Sequence, residues 1–352
     1  MQMKPENCWS SILENDWHNL MVLCRALEGS VPTLTDWSPL LVLANRTMVS
    51  PALASALEGQ LNIPAEVSDF LYHIAERTRS RNDRMREQLI EVVSALSAVG
   101  ITPLLIKGAA FLAAEERLRP NRLSTDLDVL VPLHAAAQAR DILQSIGYTA
   151  PHASAARPAG LSFERSSDVG EVDLHYRLRS FEDWPDFVKI APFCSRIDLE
   201  GAEALLPSPT LQAAILIAHD QLQERDYWRG LIDLRHLVDL RAVFATYGPL
   251  DQSTLDAFFF SRRAKRALAT QLQTYAKLFV AEFAFEPSSW ADIQCKRRFY
   301  QIQRPRTRGL LTAATLLIDP PALLGRKRHL EAARERAQYL KRMFSGKKPV
   351  KV

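Results

Sequence analysis

The chain has 352 residues, of which 47% are apolar, and a formal net charge of only +4 at pH 7. This length and apolar content predict a folded, soluble protein of two or three domains. The longest apolar tract, residues 310–324, contains Asp319, Pro320 and Pro321 and is shorter than the roughly 20 residues that a membrane-spanning helix needs. We therefore expect no transmembrane segment.

The four cysteines lie far apart and form no C-x-x-C pair, so neither a zinc ribbon nor a disulfide framework is indicated. Residues 1–19 contain three acidic residues and lack the apolar segment of a secretory signal. Reduced thiols and the absence of a signal sequence predict a cytoplasmic location.

Residues 1–80 predict an N-terminal helical region. Apolar residues recur three and four positions apart, and Pro32, Pro51 and Pro64 interrupt the pattern. A longer helix is predicted over residues 81–98, where Gly100 occupies the position of a helix C-cap.

Residues 81–182 predict a small mixed β-sheet covered by helices, which is an α+β arrangement. A turn at Lys107 and Gly108 separates the first strand from the first helix of this core. Strands are predicted over residues 101–106, 126–131, 161–165 and 171–178, and helices over residues 109–118 and 134–146.

After Asp183 the pattern is mostly helical to the end of the chain, so residues 183–325 predict a C-terminal helical domain. Helices are expected over residues 210–224, 230–244, 255–283 and 327–344. Residues 326–352 predict a basic C-terminal helix and tail, with ten lysines and arginines against two glutamates. This tail is suited to contact RNA, an acidic lipid surface or only solvent.

Carboxylates alternate with apolar residues in two of the predicted strands. Because side chains alternate between the faces of a strand, Asp126 and Asp128 share one face, while Leu127, Val129 and Val131 point into the core. The second strand carries its polar residues on one face in the same way, namely Glu171, Asp173, His175 and Arg177. A charged face is costly unless it is wet or binds a cation, so we expect a solvated cleft with a metal-dependent phosphoryl or nucleotidyl transfer site.

Three segments resemble a known superfamily: L-L-I-K-G at 104–108, R-L-S-T-D-L-D-V-L-V at 122–131 and E-V-D-L-H-Y-R-L at 171–178. They are similar to the nucleotidyltransferases related to DNA polymerase beta, and within them to the bacterial family 5 nucleotidyltransferases. The resemblance implies a palm-like core in which Gly108 forms a turn under the triphosphate. It implies that Asp126, Asp128 and Asp173 are catalytic and bind Mg²⁺, with Mn²⁺ as the alternative, and that Asp173 helps deprotonate the acceptor.

Other residues complete the predicted nucleotide site. Lys107, Arg122 and Ser124 are expected to bind phosphate. Relatives usually have a serine at the position of Ala109, and Lys107 or Ser124 is expected to replace the contact of its hydroxyl with phosphate. The alternatives are that Lys107 pairs with a carboxylate of the cleft and that Arg122 is a solvated loop residue.

Four residues are candidates for contact with the acceptor or for support of the site. Glu171 competes with Asp173 as the third metal ligand, and His175 either orients Asp173, contacts the acceptor or packs against Trp184. His219 and Asp233 face the nucleotide or, alternatively, belong to a helix pair that leaves its polar residues outside.

These observations predict a nucleotidyltransferase that moves a nucleoside monophosphate from an NTP donor to an unidentified acceptor and releases pyrophosphate. The acceptor is a small molecule, a peptide, a protein or RNA. The alternatives are a toxin-like enzyme that modifies RNA or tRNA, a nucleotide-binding module without turnover, and a metal-dependent phosphohydrolase. No G-x-x-x-x-G-K-[ST] loop is present, which disfavours a P-loop ATPase.

Overall fold

The computed structural model describes residues 16–114, 121–150, 160–183, 185–280 and 288–321. Helices surround a six-stranded mixed sheet, which confirms the predicted α+β class. The predicted helix at 327–344, the basic tail at 326–352 and Trp184 lie outside the described residues. In the part of the chain that is described, no helix is long and apolar enough to cross a membrane.

In the described part of the chain, four helices precede the sheet, and prolines lie at the beginnings of two of them. Pro51 lies in the first turn of its helix, where a missing N–H costs no hydrogen bond, and Pro64 directly precedes the longest helix. The four helices are α1 (Asp16–Leu27), α2 (Ser38–Arg46), α3 (Ser50–Leu57) and α4 (Ala65–Ser97).

Helix α4 ends at the glycine that the sequence predicted. Gly100 has a φ of +78°, and its N–H donates to the carbonyl of Ser97 at 2.9 Å. The N–H of Ile101 donates to the carbonyl of Leu96 at 3.0 Å. This pair of bonds closes the helix as a Schellman motif, which needs a residue that tolerates a left-handed conformation.

The sheet has the strand order β3-β4-β2-β1-β6-β5. Strand β2 pairs antiparallel with β1 and parallel with β4, while β1 pairs parallel with β6. The outer pairs, β3 with β4 and β5 with β6, are antiparallel. The strands are β1 (Leu104–Ile106), β2 (Asp126–Leu130), β3 (Gly160–Phe163), β4 (Glu171–His175), β5 (Cys194–Leu199) and β6 (Ala202–Pro207).

Most described residues after Asp183 are helical, as predicted, but the sequence analysis did not predict the hairpin of β5 and β6. Its two-residue loop is Glu200 and Gly201, with φ values of +56° and +90°. Positive φ at both loop residues matches the twist of paired strands and favours a tight hairpin. The sheet therefore extends beyond residue 182, and the domain boundaries stay a prediction.

The sheet separates two apolar cores. Leu127 and Val129 of β2 pack in one core with helix α4, while Leu130 packs in the other with helices from both ends of the chain. The polar residues of β2 share the face of Leu130, because positions two apart on a strand point the same way. The carboxylates therefore face the side of the sheet that the C-terminal helices cover.

Helices make up most of the remaining structure. Helix α5 (Lys107–Ala113) follows β1 directly, and α6 (Ala136–Ser145) connects β2 to β3. The predicted helix at 210–224 ends in a π-helical turn at His219–Gln223, and the predicted helix at 255–283 is two helices. The C-terminal helices are α7 (Phe187–Ile190), α8 (Pro209–Ala218), α9 (Asp226–Arg229), α10 (Leu234–Tyr247), α11 (Gln252–Phe258), α12 (Arg262–Leu278), α13 (Ser289–Gln303) and α14 (Arg308–Ile318).

Candidate active site

The parallel pairing of β2 with β4 sets the predicted acidic residues side by side. Asp126 lies opposite Glu171 and Asp128 lies opposite Asp173, and His175 follows on the same face of β4. One atom each of Asp128, Asp173 and His175 lies within 4.8 Å of the others, a spacing at which three groups can share a metal ion. The register thus unites residues that are far apart in the sequence.

Asp128 is buried and held by two partners. Its side chain is only 1% exposed, and its Oδ1 lies 2.8 Å from Nζ of Lys107 and 2.8 Å from Nε2 of His175. The expectation that Asp128 lies at a solvated cleft is therefore wrong. Helix α8 covers this face, where Gln212 donates a hydrogen bond to the carbonyl of Lys107 at 3.0 Å.

The two partners keep the Asp128 carboxylate charged despite its burial. Burial alone would raise its pKa, but the charge of Lys107 and the hydrogen bond and charge of His175 hold the pKa well below the usual range. Burial would likewise lower the pKa of Lys107, yet the charges of Asp128, Asp126 and Asp173 raise it. Lys107 thus remains a cation beside the row of carboxylates.

Asp173 is more accessible than Asp128. It is half-buried, and Ser162 on the neighbouring strand β3 donates a hydrogen bond to its Oδ1. Glu171, the rival third ligand, is exposed at the beginning of β4. A carboxylate that is oriented by a hydroxyl and open on one side is suited to bind a cation or accept a proton.

A cavity of about 240 Å³ adjoins this row of side chains. Polar residues of the sheet and of the helical region line it, including Lys107, Asp126, Asp173, His175, His219 and Glu224. A larger open groove of about 770 Å³ lies on the other side of Asp126 and reaches Glu171. We take the smaller cavity as the candidate site because Lys107 and Asp173 both face it.

The loop before β2 is more buried than the sequence predicted. Arg122 is 8% exposed, and its Nε donates to both carboxylate oxygens of Asp239 at 3.0 and 2.9 Å. Gly108 admits this side chain, since a Cβ there would lie 2.8 Å from Nη1 of Arg122. Ser124 is 2% exposed, and its N–H donates to Asn82 of α4 at 3.2 Å. The proposed contacts of Arg122 and Ser124 with phosphate stay predictions.

A family model described as "uncharacterised nucleotidyltransferase" matches residues 33–280, which is well over half of the chain. The chain belongs to this nucleotidyltransferase family. The match covers both the sheet with its carboxylates and the helices that line the cavity. It confirms the family that the three sequence segments resemble.

Solved structures give a weaker similarity, and no curated protein matches the nucleotidyltransferase. The antibiotic-resistance factor ANT(2'')-Ia is 16% identical over 54% of this chain and 93% of that chain, with a TM-score of 0.35. A lincosamide adenylyltransferase, LnuA with lincomycin bound, is 14% identical over 46% and 97%, with a TM-score of 0.31. An antigenic nucleotidyltransferase-like protein from Paracoccidioides brasiliensis is 17% identical over 56% and 90%, with a TM-score of 0.38. These scores are too low to indicate an acceptor.

The helical wall of the cavity consists of the π-helical turn at His219–Gln223 and helix α10 behind it. It differs from the helix pair that the sequence predicted. His219 lines the cavity, and its ring meets the ring of His236 edge to face at 5.5 Å between centroids. Asp233 caps helix α10, where its Oδ1 accepts the N–H of His236 at 3.3 Å. Polar residues are buried here, and Asp220 is 0% exposed. The alternative that the polar residues lie outside is therefore wrong.

Sequence reasoning missed several residues of the nucleotidyltransferase cavity. Arg179, Ser180 and Gln223 line it, although they belong to no motif that we recognised. Asp239, which pairs with Arg122, lies within an apolar helical pattern. Its charge inside that pattern was a signal, because an acidic residue on a buried helix face needs a partner.

Proposed function

We propose that the nucleotidyltransferase moves a nucleoside monophosphate from an NTP to an acceptor and releases pyrophosphate, in a reaction that depends on Mg²⁺. The observation that carries the proposal is the register of β2 and β4, which places Asp126, Asp128 and Asp173 on one face. Asp126, Asp173 and the cation Lys107 adjoin the same cavity. Family membership supports the same chemistry.

The carboxylates fit a divalent cation. Mg²⁺ prefers oxygen ligands and usually retains waters and substrate phosphates, which suits the two carboxylates that line the cavity, Asp126 and Asp173, with the buried Asp128 next to Asp173. Both partners of Asp128 contact Oδ1, so Oδ2 is the oxygen that a cation can take without displacing Lys107 or His175. The ion would neutralise the triphosphate and stabilise the attacking and leaving oxygens. Mn²⁺ accepts the same kinds of ligand and is the alternative.

The chain's own residues have separate roles in this proposal. Lys107 balances Asp128 and adds positive charge where an anionic donor enters. His175 fixes the carboxylate of Asp128, and Ser162 fixes that of Asp173. Asp173, which faces the cavity, accepts the proton of the acceptor hydroxyl.

The acceptor stays open among a small molecule, a peptide, a protein and RNA. The cavity wall adds the polar residues His219, Gln223 and Glu224, which suit an acceptor with hydroxyl or amine groups. Contact between the basic tail and RNA stays a prediction, as does the cytoplasmic location.

Nucleotide binding tests the proposal. The melting temperature is measured with each of the four common NTPs, with and without Mg²⁺, for the wild type, Asp173→Asn and Asp141→Asn. Asp141 is the matched control, because its side chain is 62% exposed on α6, away from the cavity. We expect at least one NTP to stabilise the wild type and the control only with Mg²⁺, since ligands that bind the native state raise its melting temperature. Equal stabilisation of Asp173→Asn, or none with any NTP, would contradict the proposal.

A further inference from the structure

We propose a second metal site, separate from the carboxylates of the sheet, formed by Asp220, Asp233 and His236. The metal ion that it would bind is a first-row divalent cation such as Zn²⁺. The site lies behind the helical wall of the cavity and does not depend on the proposed transfer reaction.

Two helical segments bring the three side chains together. Asp220 lies in the π-helical turn between α8 and α9, whereas Asp233 and His236 occupy the N-cap and first turn of α10. Nδ1 of His236 lies 3.8 Å from Oδ1 of Asp220 and 3.6 Å from Oδ2 of Asp233. All three atoms lie within 4.8 Å of one another.

The buried Nδ1 atom of His236 is the feature that points to a bound metal ion. His236 is 8% exposed, and among the described residues its Nδ1 has no hydrogen-bond partner. Both carboxylate distances exceed a hydrogen bond. Nitrogen and oxygen atoms that share one zinc ion at about 2.0–2.2 Å lie about 3–3.5 Å apart, so the two nitrogen–oxygen distances need only a small contraction.

Asp220 is oriented toward this point by a buried network. Its Oδ2 accepts hydrogen bonds from Nε2 of Gln221 at 2.6 Å and of Gln271 at 3.0 Å. Arg298, which is 0% exposed, donates in turn to the side-chain oxygens of both glutamines. Hydrogen bonds behind a ligand fix its orientation and are typical of metal sites.

Asp233 is oriented in a similar way. Its Oδ1 accepts the N–H of His236 as the cap of α10, while Oδ2 is the oxygen nearer to Nδ1. Each carboxylate therefore uses one oxygen for the surrounding structure and turns the other toward the imidazole. One nitrogen and two carboxylate oxygens suit Zn²⁺ better than Mg²⁺ or Ca²⁺, which prefer oxygen alone.

Metal binding at this site would affect the neighbouring cavity. His219 both lines the cavity and contacts the ring of His236. A cation held by Asp220 and His236 would tie the π-helical turn to α10. We therefore expect occupancy to stabilise the helical wall without contributing to the chemistry on the sheet.

Zinc binding to the 352-residue chain, after chelator treatment, tests the site. All proteins carry Asp173→Asn, so that zinc binding by the sheet is weakened and is the same in every protein compared. Calorimetric titration with Zn²⁺ then compares this background with His236→Gln, Asp233→Asn and the control His134→Gln, whose imidazole is exposed. Asparagine is also a good N-cap, so Asp233→Asn removes a ligand and retains the helix cap.

We expect about one equivalent of Zn²⁺ to bind in the background and in His134→Gln, and the affinity to fall by at least about 100-fold in His236→Gln and Asp233→Asn. Circular dichroism of the metal-free proteins verifies that each variant is folded. Two results would overturn the proposal: zinc affinity that is unchanged in both ligand variants, or no zinc binding in the background. The second result would assign the cluster to an imidazolium held between two carboxylates. Because every protein carries the same change in the sheet and the comparison is between variants of the second site, neither result depends on the proposed transfer reaction.

Discussion

The protein buries acidic residues in two regions, the sheet and the C-terminal helices, and the two regions treat them differently. In the sheet, Asp128 is balanced by direct contact with Lys107, while Asp173 faces a cavity. In the helical region, Asp220 and Arg298 are both 0% exposed, and glutamine side chains connect them. In the first arrangement a carboxylate faces a cavity, whereas in the second both charged side chains are shielded from bulk solvent.

This difference separates the expected effects of substitution. A change at the sheet removes an interaction with a ligand and spares most of the fold. A change in the helical network leaves a buried charge without its partner, and that is costly even when no ligand is bound. Activity should therefore depend mainly on the sheet, and stability mainly on the helical network.

The largest expected effect is that of Asp173→Asn on turnover. Loss of a group that accepts a proton in the transition state typically reduces a rate roughly 10²- to 10⁴-fold. Pyrophosphate release is measured with the NTP that binds and with a cell extract as the source of acceptor. Asp141→Asn is the control, and equal rates for the two variants would show that the chemistry does not use the sheet.

Arg298→Met should produce the largest loss of stability. Removing one partner of a buried pair costs about 3–5 kcal/mol, because the remaining charge, here that of Asp220, stays buried without its cation. Urea unfolding measures the free energy of the wild type, of Arg298→Met and of the control Arg196→Met, whose guanidinium is 74% exposed beside Glu203. The control should change by less than about 1 kcal/mol. Similar values for the two variants would mean that Asp220 is not charged in the folded protein.

Substitution of two glycines, one near the sheet and one in the helical region, also tests how the two regions differ in stability. Gly230 has a φ of +66°, and a Cβ there would overlap Oε1 of Gln301. A Cβ at Gly108 would be crowded by the end of Arg122, at 2.8 Å, and would lie at an ordinary contact distance of 3.5 Å from the carbonyl oxygen of Asp126; φ there is not positive. Overpacking costs about 1–3 kcal/mol, and a left-handed backbone adds about 1–2 kcal/mol for alanine.

We therefore expect Gly230→Ala to destabilise the protein more than Gly108→Ala, as measured by urea unfolding. A larger loss at Gly108 would contradict this order. It would indicate that the pair of Arg122 with Asp239 is more rigid than the network around Gln301.

The two regions also differ in how much the sequence revealed. The carboxylate row was predictable, because alternation along a strand places Asp126 and Asp128 on one face regardless of the partner strand. The end of α4 was predictable from Gly100. The contact of Lys107 with Asp128 was only one of two alternatives, since it depends on how β1 and β2 pair.

The helical network could not be predicted. Asp220 lies in a π-helical turn, which shifts the positions that a regular helix would place inside. Arg298 reaches it from a helix almost eighty residues later in the chain, as the pairing with Gln221 shows. The hairpin loop Glu200 and Gly201 carries a local signal that we did not recognise in the sequence, a glycine between two short segments that form strands.

The smallest expected effects are on pH dependence, and they have opposite signs in the two regions of the metal-free protein. The pKa of Asp128 is lowered in the folded state, so its contribution is present above the ordinary value of about 4 and is lost as pH falls through the folded pKa. Burial would lower the pKa of His236, but the charges of Asp233 and Asp220 raise it. Its contribution is present below about pH 6.5 and is lost as pH rises through the folded pKa.

Urea unfolding across this pH range distinguishes the two regions. Asp128→Asn should flatten the acid side of the stability profile and leave the neutral side unchanged, whereas His236→Gln should do the reverse. Addition of Zn²⁺ should oppose the loss above pH 6.5, because the metal binds neutral imidazole and competes with its proton. A profile in which both variants flatten the same side would mean that the two acidic clusters are electrostatically coupled through the cavity wall, and the separation between a ligand-binding sheet and a closed helical network would then fail.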